Sequence, residues 1–134
     1  MFTEKEIAYI KSQPLARLAT VGKDSQPDNV AVGFEFEDPI IYVGGRFMRS
    51  SRKYKNVSDG HNKVALIIDD LASRDPWQPR GIRIFGQAEI VERDGRFGKD
   101  HYLRIVPKIS WSWQIEGPTF VEGSFVPHRT VHKQ

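Results

Sequence analysis

Apolar and polar residues alternate along most of this chain with a period of two, and the exceptions fall at predicted helices and turns. Thr3-Glu-Lys-Glu6 is a capping box, and Phe2 and Ile7 are spaced as a hydrophobic staple, so a short helix is predicted from about Glu4 to Ser12, ending before Pro14. Ala16 to Thr20 alternates as a strand, Gly22 to Ser25 supplies a turn, and Asn29 to Phe36 reads as the returning strand of a hairpin. A turn at Glu37-Asp-Pro39 leads into a third strand, Ile40 to Val43. Lys63 to Asp69 is β-branched and nearly continuous in apolar residues, the pattern of a central strand buried on both faces. From Asp70 to Gly81, Pro76 and Pro79 argue for an irregular loop that holds Trp77 in a defined place.

Ile82 to Glu92 then alternates over a long span, and Gly86 within it marks a bulge or a close backbone approach. Tyr102 to Val106 and Lys108 to Ile115 read as two further strands separated by Pro107. Many antiparallel strands with only two short helices predict a mainly β protein, a closed barrel.

The 134 residues predict one domain, 1–134, with no room for a separate substrate domain. A ligand site must then be shallow or be completed by a second subunit. No apolar run reaches the length of a membrane helix, and the N-terminus lacks the pattern of a secretory leader, so a cytoplasmic protein is expected. With no cysteine there is no thiolate chemistry, and any redox reaction depends on a cofactor.

Net charge is only +3, below what a nucleic-acid binder usually carries, yet five cations (Arg46, Arg49, Arg52, Lys53 and Lys55) fall within ten residues. They follow Val43-Gly-Gly, and Ser50 or Ser51 is placed to cap a short helix whose free N–H groups and positive dipole end would seat an anion. The same residues also fit a solvated basic face. No phosphate-binding loop, dinucleotide fingerprint or nucleophile elbow occurs; His61, His101, His128 and His132 include one i, i+4 pair, but it falls in a predicted tail with no acidic neighbour at ligand spacing, so no metal is expected. Trp111 and Trp113 share one strand face, as core or dimer packing or as a platform for a planar ligand. Asp69, Asp70 and Glu89 are ordinary candidates for acid–base work or for pairing with arginines.

Ser51-Arg-Lys-x-x-Asn56, Val64-Ala-Leu-Ile-Ile-Asp-Asp70 and Asp75-Pro-Trp-x-Pro-Arg-Gly-Ile-x-Ile-x-Gly-x-Ala-Glu89 carry a further resemblance. Together they resemble the pyridoxamine 5′-phosphate oxidase-like split β-barrel proteins, specifically the class that uses the deazaflavin coenzyme F420 and includes a reductase of oxytetracycline biosynthesis. The resemblance runs from Phe2 to about Gly117 and is most specific from Asp69 to Glu89. It implies a six-stranded antiparallel split barrel that forms a homodimer, with the cofactor in a groove between subunits. The cofactor phosphate would sit at Ser50, Ser51, Arg52 and Lys53, while the strand Asn29, Val30, Ala31, Val32, Gly33 would run along the deazaflavin edge. Arg80 or Lys55 would meet the oligoglutamate tail, and Trp77 and Trp113 would form an aromatic wall.

The implied reaction is hydride transfer between reduced F420 and a small acceptor such as an activated alkene, with Tyr42 or water as proton source and no catalytic residue assigned. FMN in the same fold, a non-catalytic cofactor carrier and a single-strand nucleic-acid binder are the alternatives. One departure stands out: Gln114 occupies a position where the family pattern Ser-Trp-Gly-Ile has glycine.

Overall fold

The computed structural model describes residues 1–133. Its ten strands are β1 (Leu15–Val21), β2 (Pro27–Gly33), β3 (Glu35–Glu37), β4 (Ile40–Val43), β5 (Lys63–Ser73), β6 (Gln78–Gly95), β7 (Gly98–Trp113), β8 (Phe120–Val121), β9 (Ser124–Phe125) and β10 (His128–Val131). The two α-helices are α1 (Glu4–Ser12) and α2 (Arg52–Ser58). Eight strands form one antiparallel sheet in the order β2-β1-β5-β6-β7-β4-β3, with β10 also on β7. This is the expected split barrel. β2 and β3 follow each other in the chain but end the sheet path on opposite sides. No helix among the described residues is long and apolar enough to cross a membrane.

The predicted capping box forms: the Thr3 hydroxyl accepts from Glu6 N–H at 3.1 Å and the Glu6 carboxylate accepts from Thr3 N–H at 3.0 Å. The helix spans the predicted residues and buries Tyr9 and Ile10. Leu18, Ile41, Leu66, Ile68, Ile82, Ile84, Leu103 and Ile105 seal the core, each such side chain contributing roughly 1.5–3 kcal/mol of burial.

The strands depart from the sequence pattern in four places. Asn29 to Phe36 is not one strand, because Phe34 turns into the core between β2, which pairs with β1, and β3, which pairs with β4. Lys63 to Asp69 is central but not buried on both faces: Val64, Leu66 and Ile68 point inward while Ala65 and Ile67 lie half-buried on the outside. The expected loop Asp70 to Gly81 is mostly hairpin, with Asp70 opposite Arg80 and Leu71 opposite Pro79. Pro79 is tolerated because β7 pairs with β6 only from Gly81 onward, so β6 has a free side there.

Pro107, the fourth, does not divide two strands but lies within β7 beside a bulge. Phe85 pairs with Ile109 and Gly86 with Pro107, which leaves Lys108 as one extra residue. The bulge reverses the facing of β7. Before it the odd positions Leu103, Ile105 and Pro107 are buried; after it the buried positions are Ser110 and Ser112. Ile109, Trp111 and Trp113 are thereby carried to the outer surface. Gly86 is required here, since a Cβ at that position would lie 2.8 Å from the Val106 carbonyl oxygen.

The inward serines are met by polar partners. Ser112 Oγ donates to the fully buried Glu6 carboxylate at 2.6 Å, and Ser110 Oγ lies 2.9 Å from His132 Nε2. The His132 ring centroid lies 4.4 Å from that of Phe2, and its buried Nδ1 has no hydrogen-bond partner among the described residues. Burial holds the His132 pKa below 6.5; the N-terminal amine lowers it further, while Glu6 and Asp38 oppose the shift.

Two outcomes follow for stability. Gly86→Ala should cost roughly 1–3 kcal/mol in urea unfolding, because a backbone carbonyl must move. His132 binds a proton more readily in the unfolded chain than in the fold. Its contribution is therefore fully present above about pH 6.5 and declines as pH falls toward the lower native pKa. His132→Phe should flatten that part of a pH–stability curve measured by thermal unfolding.

Candidate functional site

The 3₁₀ turn Met48–Ser50 delivers the chain to α2, whose N-cap is Ser51. Ser51 Oγ accepts from Tyr54 N–H at 3.3 Å and donates to the Met48 carbonyl at 2.6 Å; Ser50 Oγ donates to the Phe47 carbonyl at 3.1 Å. Both hydroxyls therefore serve the backbone. The first-turn N–H groups of Arg52 and Lys53 are the ones left by helix geometry without an intrahelical acceptor. Arg49, Arg52 and Lys55 have carboxylates at 3.7–3.8 Å in Asp100, Asp24 and Asp59, loose and well-exposed pairs worth little in water. Lys53 is different. It is half-buried, and desolvation lowers its pKa while Asp28 on β2 partly restores it.

α2 is fixed at the β1–β2 end of the barrel by Asn56, which donates to Thr20 Oγ1 at 3.0 Å in a buried bond. Thr20 also lines a cleft of about 450 Å³ on the outer sheet face, whose walls include Val21, Pro27, Ala65 and Phe85, with Lys63 and Lys108 as its cations. Asn56, and Lys53 through Asp28, thus set α2 beside the β1–β2 strand ends that also border this largely apolar groove, while Lys53 lines neither the groove nor the separate cleft at the α2 start around Arg49, Ser51 and Arg52. β2 is the terminal strand on that side, so alternate backbone N–H and C=O groups face no strand partner. Asn29, Val30 and Ala31 are exposed along it; Val32 points into the core and offers a ligand only its backbone.

The remaining expected residues lie elsewhere in the chain. Trp113 pairs with Gly81, where a Cβ would come within 2.7 Å of the indole ring. Arg80 pairs with Asp70 through two bonds, of 2.8 and 3.0 Å, and Tyr9 donates to the same carboxylate at 2.7 Å. Arg80 holds the Asp70 pKa down, and burial with Asp70 beside it pushes the Tyr9 phenol up. Gly81 is six residues along β6 from Gln87 in the groove, about 20 Å at strand rise. Trp77, 69% exposed, sits in the tip of the β5–β6 hairpin. Within one chain, then, Ser51, Arg52 and Lys53 converge with β2 but not with Trp77, Arg80 or Trp113. Tyr42 lies under the Arg93 guanidinium, 3.8 Å from its ring centroid, and lines neither the groove nor the α2 cleft.

Sequence reasoning gave no role to Phe85, read Arg83 only as positive charge beside Arg80, and met Asn56 only as the end of the Ser51–Asn56 motif. Phe85 packs edge-on against Trp111 at 5.0 Å, and Arg83 lies 4.3 Å above the same indole. Their outward facing was readable from alternation along β6, but their meeting with Trp111 depends on the bulge.

The architecture is that of a split β-barrel, and sequence comparison agrees. The profile of the family described as pyridoxamine 5′-phosphate oxidase matches residues 2–111. Over 122 residues the chain is 40% identical to a 5a,11a-dehydrotetracycline/5a,11a-dehydrooxytetracycline reductase of Streptomyces rimosus subsp. rimosus, covering 87% of this chain and 85% of that protein. Among solved structures it is similar to general stress protein 26 of Bacillus anthracis, with a TM-score of 0.69, 20% identity and coverage of 96% and 97%. A conserved hypothetical protein of Mycobacterium tuberculosis gives 0.66, 24% identity and coverage of 84% and 85%. The haem storage protein of Vibrio cholerae shares the fold at 0.60 and 16% identity, covering 81% and 92%. The chain belongs to the pyridoxamine 5′-phosphate oxidase family, and its curated relative puts it with the oxidoreductases.

The state of Lys53 is directly measurable. Its titration midpoint, followed by the ¹³C shift of Cε, should lie below 10.5 and rise when inorganic phosphate is added, because a bound anion favours the charged amine. A midpoint at or above 10.5, or one indifferent to phosphate, would remove Lys53 from the seat.

Proposed function

We propose that this chain is an F420-dependent reductase acting as a homodimer, with each cofactor groove completed by the second subunit. The observation that carries this reading is the placing of half-buried Lys53 near Asp28 on β2, the strand whose Pro27 also borders the apolar groove. Arg52 and Lys53, through their first-turn N–H groups and the Lys53 ammonium, would hold the cofactor phosphate, and the groove lined by Ala65 and Phe85 with the backbone of β2 would hold its ring system. The residues present fit such a cofactor: a half-buried amine with Asp28 as its carboxylate neighbour, two first-turn N–H groups that helix geometry leaves without an intrahelical acceptor, and a largely apolar groove. Reduced deazaflavin supplies a hydride from its C5 carbon. The protein's own part is to bind the phosphate, orient the ring against the sheet and exclude water from its apolar face.

The second subunit is argued from the same outer face. Ile67, Phe85, Ile109, Trp111 and Trp113 lie together there through the β5–β6–β7 register, and soluble monomers seldom leave a contiguous patch of this kind uncovered. Dimer packing would also bring the Trp77, Arg80 and Trp113 end of one chain toward the seat of the other. The reductase sense follows the Streptomyces rimosus relative, whose name points to a carbon–carbon double bond in a polycyclic acceptor as the substrate class.

The test is a fluorescence titration with F420 and with FMN. Tight binding of F420 is expected. Lys53→Ala should weaken it by roughly 1.5–3 kcal/mol, the scale of a hydrogen bond to a charged group. Lys11→Ala, on α1 at the other end of the barrel, should leave it unchanged. Preference for FMN would make the protein a flavin enzyme of the same fold, and binding of neither would overturn the cofactor reading.

A further inference from the structure

The strand registers place three arginines in one line across the outer sheet face. Ala31 lies opposite Arg17, Arg17 opposite Ile67, Ile67 opposite Arg83, Arg83 opposite Trp111, and Trp111 opposite Arg129. Directly opposed residues share a face, so this row crosses six strands on the outside of the barrel. Its cations stand two strands apart, about 10 Å at ordinary strand spacing. The row on one side is apolar from Ala19 through Ala65, Phe85 and Ile109 to Val131. The row on the other, Asp69, Gly81 and Trp113, holds the single carboxylate of the three.

That carboxylate is already engaged. Asp69 Oδ1 lies 3.8 Å from Arg17 Nη2, and neither Arg83 nor Arg129 has a carboxylate partner among the described residues. Arg83 sits at the middle of the aromatic patch, its guanidinium 4.3 Å from the Trp111 ring centroid and 5.3 Å from that of Phe85. Whatever covers those rings therefore covers Arg83 as well. Covering a charge strips its water, and the cost is offset only by an opposite charge with good hydrogen-bond geometry. A second copy does not supply one. In a two-fold interface each patch meets its own likeness, so arginine rows from the two chains face each other, and their repulsion grows as water leaves. The apolar surface favours association while the charge opposes it. A multivalent oxyanion between the rows removes the opposition, since guanidinium groups pair with carboxylate or phosphate oxygens two at a time.

We propose that two copies of this chain close their outer faces around a bound polycarboxylate or polyphosphate anion, held by Arg17, Arg83 and Arg129 of both chains, so that the anion switches dimer assembly on. The second copy is that of the reading above, on which the anion site rests; the cofactor is not needed for it. Because the second subunit completes the cofactor groove in that reading, the anion also governs whether the groove is complete.

The test is sedimentation equilibrium of the full chain at one ionic strength, with sodium chloride, citrate or tripolyphosphate as the salt. Citrate and tripolyphosphate should each tighten dimerisation about tenfold over chloride, an ordinary size for coupling between two binding events. Arg83→Gln and Arg129→Gln should dimerise in chloride about as tightly as the wild type does in tripolyphosphate, and should lose most of the response to either anion. Loss of the response in these variants separates a site from general salting-out of apolar surface. Arg129 is exposed on the short terminal strand β10, so its variant decides the matter even if Arg83→Gln unfolds. A dimer equally strong in all three salts, or variants that respond as the wild type does, would overturn the anion link and leave the dimer standing. A monomer in every salt would overturn both. Anion-linked dimers that bind no F420 would uphold the anion site and defeat the cofactor reading.

Discussion

One extra residue, Lys108, determines which side of β7 faces the core, and most of the functional surface depends on it. Strand side chains alternate with a strict period of two, so a single inserted residue exchanges inside and outside for everything that follows. Without the bulge, Ile109, Trp111 and Trp113 would continue the inward row of Leu103 and Ile105. With it, they cover the outside of the sheet, beside Phe85 and Arg83. The interior gains two serines in exchange, and both are provided for, by Glu6 and by His132. An apolar exterior and a polar patch in the core are thus two results of the same geometric event.

The two ends of the barrel are closed by different chemistry. At one end α2 is tied to β1 by a neutral bond between Asn56 and Thr20, which keeps the cations of the preceding turn at the surface. At the other, α1 reaches β5 and β6 through Tyr9, Asp70 and Arg80, a charge-assisted network that orients Arg80. The first arrangement leaves positive charge available to an anion. The second consumes half of the charge it contains and exposes only a directed donor edge.

Much of the fold was legible because local signals were unambiguous: the capping box, the β1–β2 turn and the alternation of β6 all appear where the sequence puts them. The misreadings share a cause. Pro79 and Pro107 read as breaks in the sequence, but a strand tolerates proline where the ladder is already open, at a free side or next to a bulge, and only the pairing reveals which sides are free. The anion seat was legible as cation clustering plus a cap, since both are local. The unequal state of its cations was not, because the burial of Lys53 arises only in the fold and its Asp28 neighbour lies on β2, more than twenty residues earlier. Gln114 was legible as a departure from a family pattern, yet its left-handed backbone and its partner Thr119 emerge only in three dimensions.

The bond between Glu6 and Ser112 joins residues 106 apart in sequence. Glu6 therefore has no hydroxyl to bury its carboxylate against until β7 has taken its place, so the docking of α1 is tied to barrel closure and to contacts distant in sequence, and the helix that forms from the most local signals is among the last to be secured.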